Sequence, residues 1–140
     1  MSPLFPELNP WPILVAGAAY WILGAIWFSL LAGDMWSREL EKHGVIIKEP
    51  TKGQLRVKLI TTLVLNIVVA FGVSILVNEA NIRSISHAIL FGFFVGVCFS
   101  ASTIGIAYTW ESRSLKLFLI DAAYPVLGVT ICSIILMLWH

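Results

Sequence analysis

Asp121 is the residue in this sequence best placed to do chemistry, because it stands at the head of an uncharged tract running from 122 to 140. An acid carried into a bilayer costs roughly 2.5 to 3.5 kcal/mol at the centre of a span, so it marks a function or a specific partner by default. Tyr124 follows about one helical turn later,. Pro125 stands four residues after Asp121 and has no N–H to offer the carbonyl of residue 121,. The carboxylate, that carbonyl and the Tyr124 phenol therefore define a compact polar spot, joined by Asn66 or Tyr108 if their helices place them at similar depth. Three roles fit it. The first is a structural clamp with Arg56, Lys58, Arg113 or Lys116, and the second is a proton or cation relay, which needs a carboxyl whose pKa is raised by desolvation. The third is contact with a small ligand or a partner helix.

Two further sets of residues share helical faces. Thr62, Asn66, Ala70 and Ser74 recur every fourth residue in one apolar tract, and Ala88, Gly92, Gly96 and Ser100 do so in the next,. Small residues at this spacing let helix backbones approach, which matters in lipid because Leu against Leu gains little over Leu against acyl chains. The stripes are expected to be packing faces, with Thr62, Asn66 and Ser100 as a polar track in the alternative reading. Their hydroxyls can equally bond carbonyls of their own helix. Cys98 and Cys132 read as buried packing residues at unequal depths, so no disulfide is expected between them. His43, His87 and His140 are too scattered to converge on a metal, and no HExxH, glycine-rich phosphate loop or nucleophile elbow is present,. No catalytic set, metal site or cofactor is assigned.

The elements that position these residues follow from composition. Of 140 residues, 59% are hydrophobic and 12% charged, against roughly 25% charged in a soluble domain,. Ten of the 17 charges lie between residues 32 and 58, so the remainder cannot cover a water-facing surface,. The net charge of +1 offers no clustered basic surface for nucleic acid,. Four uncharged runs, 8–33, 59–78, 84–110 and 122–140, each suffice for a crossing that needs about 20 helical residues,. Continuous apolar runs without period-two alternation exclude a β-barrel.

The expected fold is therefore an all-α membrane protein with four transmembrane helices in an antiparallel bundle, at about 11–31, 55–77, 86–108 and 115–138. The first apolar run is too long for a signal peptide and lacks a basic leader, so it is expected to remain as a span. The loop 32–54 is expected to carry a short interfacial helix at about 34–43, with Trp36 and Leu40 on one side and charges opposite. Thr51 and Gln54 have the spacing of a capping box, and Ser112 or Ser114 is suited to cap the last helix. Eight basic residues (Arg38, Lys42, Lys48, Lys52, Arg56, Lys58, Arg113 and Lys116) fall on one side and Arg83 alone on the other. That asymmetry predicts a cytoplasmic long loop and extracytoplasmic termini. Trp11 and Trp139 then mark the outer interface and Trp27, Trp36 and Trp110 the inner one, while Trp21 lies ~15 Å down the first helix.

Three separated blocks carry a family resemblance: Asn9-Pro10-Trp11, ILGAIWFSLLAGDMW at 22–36 and ESRSLKLFLIDAAYPVLG at 111–128. Over nearly its whole length the chain resembles the bacterial integral membrane family designated domain of unknown function 1761. The resemblance implies a small four-helix protein of a bacterial cytoplasmic membrane, with recurring positions that correspond here to Trp27, Trp36, Lys116, Asp121 and Tyr124. It brings no activity. Pro125 departs from the non-proline residue that the resemblance leads one to expect.

Three functions compete at this point. The leading one is helix association, as a homo-oligomer or an accessory subunit of a membrane complex, using the small-residue stripes. The alternative is a small transporter or channel with its polar site at Asp121, Tyr124, Asn66 and Tyr108. The third is interaction with lipid or quinone through the inner-leaflet tryptophans and the basic loop. No reaction follows from any of them, so an enzyme is the weaker expectation.

Overall fold

A computed structural model describes residues 9–31, 33–42, 44 and 51–139. Helix α1 (Pro10–Ile26) runs directly into a π-helical segment, Trp27–Leu31, and is followed by the short α2 (Gly33–Lys42). Then come α3 (Lys52–Glu79), α4 (Ile85–Val95), a second π-helical segment (Gly96–Ala101), α5 (Ser102–Trp110) and α6 (Leu115–Leu138). No strand occurs among the described residues. Among the described residues four stretches are long and apolar enough to cross a membrane: Pro10–Ser29, Lys52–Glu79, Ile85–Trp110 and Leu115–Leu138.

Local chemistry fixes where these helices begin and end. The Asn9 side chain accepts from the Trp11 N–H, and Pro10 occupies the first helical position, where its missing donor costs nothing,. Thr51 and Gln54 form a reciprocal capping box at 3.2 and 3.0 Å, so α3 starts in the basic segment before its apolar run,. Ser84 caps α4 and Ser114 caps α6. Both α3 and α5 close with a left-handed residue, Asn81 (φ 57°) and Ser112 (φ 55°). In each case the N–H of the next residue reaches back to a carbonyl of the last turn, Ile82 to Val77 and Arg113 to Tyr108,. Asn tolerates this conformation; Ser bears a strain of roughly 1 kcal/mol.

Helix α6 is the axis of the molecule. It packs against α1, α3, α4, α5 and α2, and it is the most buried of the spans. The core joins Ile13, Ala16 and Tyr20 of α1 to Ala70, Val73 and Val77 of α3, and closes on Val129, Cys132 and Leu136 of α6. Both small-residue stripes are spent inside this one chain. Ala88, Gly92 and Gly96 are buried against α6, and Asn66, Ala70 and Ser74 face the core. A Cβ on Gly92 would stand 2.5 Å from the Thr130 Cα, and one on Gly128 would stand 2.3 Å from the Tyr20 ring. One member at the end of each stripe differs. Thr62 is exposed, and Ser100 is half-buried because the π-helical segment at Gly96–Ala101 carries an extra residue per turn and rotates the later positions of the helix,. Cys98 falls in that segment and is exposed, not buried as expected; Cys132 is buried, with its thiol 3.5 Å from the Ala16 carbonyl.

The glycine contacts predict a graded response. Gly92→Val must displace backbone atoms of α6 and is expected to destabilise by about 1 to 3 kcal/mol, whereas Gly72→Ala, with open space around its Cβ, is neutral or slightly stabilising,. Ser112→Gly relieves the left-handed strain and raises stability by up to about 1 kcal/mol. Thermal or denaturant unfolding of the purified protein in one detergent checks all three.

Candidate functional site

The polar side chains gather at the end of the bundle that carries the charges. Asp121 lies on the second turn of α6 and accepts a hydrogen bond from the Tyr108 hydroxyl, which α5 delivers from its last turn. Three residues on, Tyr124 makes a separate set of contacts with α1 and α3. Its hydroxyl receives the Asn66 amide of α3 at 3.4 Å and donates to the Tyr20 carbonyl of α1, also at 3.4 Å. The Tyr124 ring meets Tyr20 and Phe28 edge-on, at 4.9 and 5.4 Å between centroids,. Gly24 of α1 makes room for that phenol, since a Cβ there would stand 2.6 Å from its oxygen. The four residues expected to converge thus form two linked pairs on α6, Asp121 with Tyr108 and Tyr124 with Asn66.

Trp27 holds α1 to α6 between the two pairs. Its indole N–H donates to the Ile120 carbonyl at 3.1 Å, beside the turn that Pro125 deprives of a donor,. Helix α6 continues through Pro125 without a break. The π-helical segment that starts at Trp27 is therefore where α1 turns its aromatic residues onto α6. Trp27 is half-buried, whereas Trp11, Trp110 and Trp139 are exposed at the helix ends. Trp36 lies in α2 with its side chain outside the described residues, as do His43, Lys48 and His140 in their entirety.

A second cluster ties α2 to this end of the bundle. Leu40 and Glu39 are both buried, at 6% exposure, so the charged residues of α2 do not all lie opposite its apolar side. Glu39 accepts from the Ser114 hydroxyl at 2.8 Å, and Lys42 and Lys116 approach it at 3.5 and 3.9 Å. Ser114 simultaneously caps α6 by accepting from the Leu117 N–H. The Ser114 hydrogen bond, aided by the two lysines and opposed by burial, holds the Glu39 carboxyl below the usual carboxylate range,. The sequence offered one cue to this acid: it is three residues after Trp36 and next to Leu40, the residues that define the apolar side.

Several cavities open around these groups among the described residues, and two of them share wall residues. The larger, about 850 Å³, is lined by the charged Lys58, Glu111, Arg113 and Asp121, by Thr62 and Tyr108, and by the apolar Phe28, Leu40 and Leu55. The smaller, about 220 Å³, is an apolar slot between α1 and α3, lined by Trp21, Gly24, Ala25, Leu59 and Tyr124. Phe28 and Thr62 belong to the walls of both. The Thr62 hydroxyl is satisfied by its own helix, donating to the Lys58 and Leu59 carbonyls, so it presents its methyl to the junction,. At the rim, Arg113 pairs with Glu111 at 2.8 Å and lies over the Tyr108 ring, 5.4 Å from its centroid,.

The fold and site together define an all-helical protein of four membrane-length helices with an amphipathic groove at its charged end. The family model for proteins of unknown function designated DUF1761 matches residues 11–137, and the chain belongs to that family. No curated protein and no solved structure matches it.

Two measurements test this geometry. Trp27→Phe keeps an aromatic ring and removes the indole donor, and is expected to cost about 0.5 to 1.5 kcal/mol of stability, read by unfolding in detergent. For Glu39 the folded carboxyl is the stronger acid, so its contribution to seating α2 is present above the unfolded value near ~4.3 and is lost as pH falls through the folded value. Hydrogen exchange of α2 amides, corrected for intrinsic rates, should rise selectively below about pH 4, and Glu39→Gln should show the raised exchange at neutral pH already.

Proposed function

We propose that this chain is an integral protein of a cytoplasmic membrane, an antiparallel four-helix bundle with both termini extracytoplasmic, and that it binds one membrane amphiphile in the groove at its charged end. The observation that carries the binding reading is that the two cavities are neighbours, with Phe28 and Thr62 in the walls of both. One is lined by Lys58, Glu111, Arg113 and Asp121, and the other, across Phe28 and Thr62, is an apolar slot beside Trp21. A molecule with a polar head and a hydrocarbon tail matches that gradient, and a small polar solute does not.

The same geometry disfavours conduction through one chain. Beyond Asn66, the interior toward the other end of the bundle is closed by Ala16, Ala70, Val73, Val77 and Leu136. Among the described residues the buried polar side chains beyond Asn66 are Ser74 and Ser133, the latter spent on the Ala88 carbonyl, which is too few to wet a path. Asp121 and Tyr108 then serve as a hydrogen-bonded wall of the groove, and Tyr124 with Asn66 fixes its floor.

A second reading, association with another copy or another membrane protein, draws on the third span. Only 11% of its most apolar window is buried, and Phe93, Phe94 and Phe99 face outward. Its support no longer includes the small-residue stripes, which the bundle itself consumes. The molecular mass of the protein in mild detergent checks this reading, and a monomer without a co-purifying protein counts against it.

Native mass measurement of the purified chain tests the binding reading. One retained amphiphile per chain is expected, and Ala25→Phe, which fills the slot from an exposed position on α1, should abolish retention while leaving unfolding unchanged. Equal retention by the variant would overturn it. Orientation is checked at the two ends of α3 in a Cys98→Ser background. Lys52→Cys should react with a membrane-impermeant maleimide only in inside-out vesicles, and Glu79→Cys only in right-side-out ones.

A further inference from the structure

Among the tryptophans whose side chains are described, Trp21 alone is neither at a helix end nor hydrogen-bonded. It stands near the middle of the span Pro10–Ser29, roughly 15 Å from either face of a hydrocarbon core,. Its indole N–H makes no hydrogen bond among the described residues. Nor is it sealed in, since no buried side-chain nitrogen or oxygen among those residues lacks a partner. A donor at that depth opens on a space that holds no water to accept from it.

The slot that Trp21 lines has the shape and chemistry of a ring site. Phe28 and Tyr124 add two aromatic walls, while Gly24 and Ala25 contribute little bulk. Tyr124 is fixed in place, edge-on to Tyr20 and Phe28 and bonded to the Asn66 amide and the Tyr20 carbonyl. Its proton is committed to that carbonyl, and the Thr62 proton to carbonyls of its own helix. The Trp21 N–H is therefore the uncommitted donor among the side chains that line the slot. An apolar cavity of roughly 150 Å³ holds a benzene, so about 220 Å³ has room for two fused rings.

We infer that the slot takes the ring of a membrane quinone, with one ring carbonyl accepting from the Trp21 indole N–H and the rings of Phe28 and Tyr124 against its faces and edges. This rests on the amphiphile-binding reading, names the class of the amphiphile and needs the slot alone. An acyl chain would fill the space and leave the indole donor unpaired, which costs more in hydrocarbon than the contact returns. A phospholipid carries its acceptors at the interface, about half a hydrocarbon core away from Trp21. An alcohol brings a proton that needs an acceptor in turn, whereas a quinone only accepts. Rigid aromatic walls favour a flat ring over a flexible chain, since the ring stacks on them and loses little conformational freedom.

A matched pair of probes isolates the carbonyl. Dimethylnaphthoquinone has no free position on its quinone ring for the exposed Cys98 thiol to attack, and dimethylnaphthalene has the same flat outline without an acceptor. Each would be titrated calorimetrically into the full chain in a non-ionic detergent free of aromatic groups. The quinone should saturate at one per chain and bind at least about fivefold more tightly than the hydrocarbon, on the order of one hydrogen bond. Trp21→Phe keeps a ring and removes the donor, so it should erase that preference and leave hydrocarbon binding unchanged. Trp110→Phe, at an exposed helix end, should keep the preference. Ala25→Phe should abolish binding of both probes. The wild-type comparison decides the carbonyl without any variant. Equal, saturable binding of the two probes, lost in Ala25→Phe, would overturn the quinone assignment and leave the slot as an apolar site for an amphiphile. A preference that survives in Trp21→Phe would overturn it as well, because the donor would lie elsewhere. Binding of neither probe would sink this inference, and the amphiphile reading would fall with it only if the purified chain also retains no lipid in the native mass measurement.

Discussion

Close backbone approach to α6 is the constraint on which the rest of this structure depends. In lipid the apolar side chains of two helices gain little by meeting each other, so association rests on van der Waals contact and a few hydrogen bonds. Glycine at the crossings supplies the contact: Gly92 and Gly96 let α4 lie on α6 at Thr130 and Val126, and Gly128 receives the Tyr20 ring of α1. Hydrogen bonds between helices then add direction. Ser133 donates to the Ala88 carbonyl, Trp27 to the Ile120 carbonyl, and Tyr124 to the Tyr20 carbonyl. Each ties α6 to a neighbour's backbone or the reverse, so a shift of one helix along α6 breaks a polar bond in a medium with no water to replace it.

That arrangement explains why an acid is tolerated on α6. Asp121 is on the second turn, where a charged group is still near the interface and its cost falls from the value at the centre. It is further held by the Tyr108 hydroxyl, and Arg113 lies over the same tyrosine ring. Tyr124, deeper by about one turn, is paired with an amide and a carbonyl. Charge is thus kept at the mouth and neutral polarity below it, which is the order that desolvation requires.

Much of this was legible in the sequence, for reasons that differ by residue. The four spans are visible because charge is absent over lengths that only a membrane-crossing helix needs, and Thr51 with Gln54 fixes the start of α3 by a local bond that no tertiary contact overrides. The pairs Asp121 with Tyr108 and Tyr124 with Asn66 were readable as residues at similar depth, although depth alone does not say which hydroxyl meets which partner. The π-helical segments were not readable. Nothing in Trp27–Leu31 or Gly96–Ala101 interrupts the apolar pattern, so no local signal marks the change of helix geometry. Ser100 falls in the second of these segments, whereas Cys98, two residues after Gly96, lies opposite the buried stripe in a regular helix as well,. Glu39 was hidden for another reason: burial of an acid on a short amphipathic helix requires a donor from elsewhere, and Ser114 comes from 75 residues away.

The groove itself is a consequence of sharing one axis. Helix α3 makes its extensive contacts with α1 and α6, while α4 and α5 rest on α6 from another side. Along α4 the glycines draw that helix in. Past the π-helical segment, α5 carries no buried residue, and its Tyr108 bridges to α6 by its hydroxyl. The space between the basic start of α3 and the end of α5 is therefore left unfilled by backbone and is walled by Leu55, Lys58 and Thr62 on one side and Tyr108 on the other. Helix α2 lies near it by way of Leu40, pinned through Glu39 to the cap of α6. One carboxylate, one serine and one tyrosine thus decide whether the mouth keeps its shape, and all three act on the first two turns of the helix that every other span leans against.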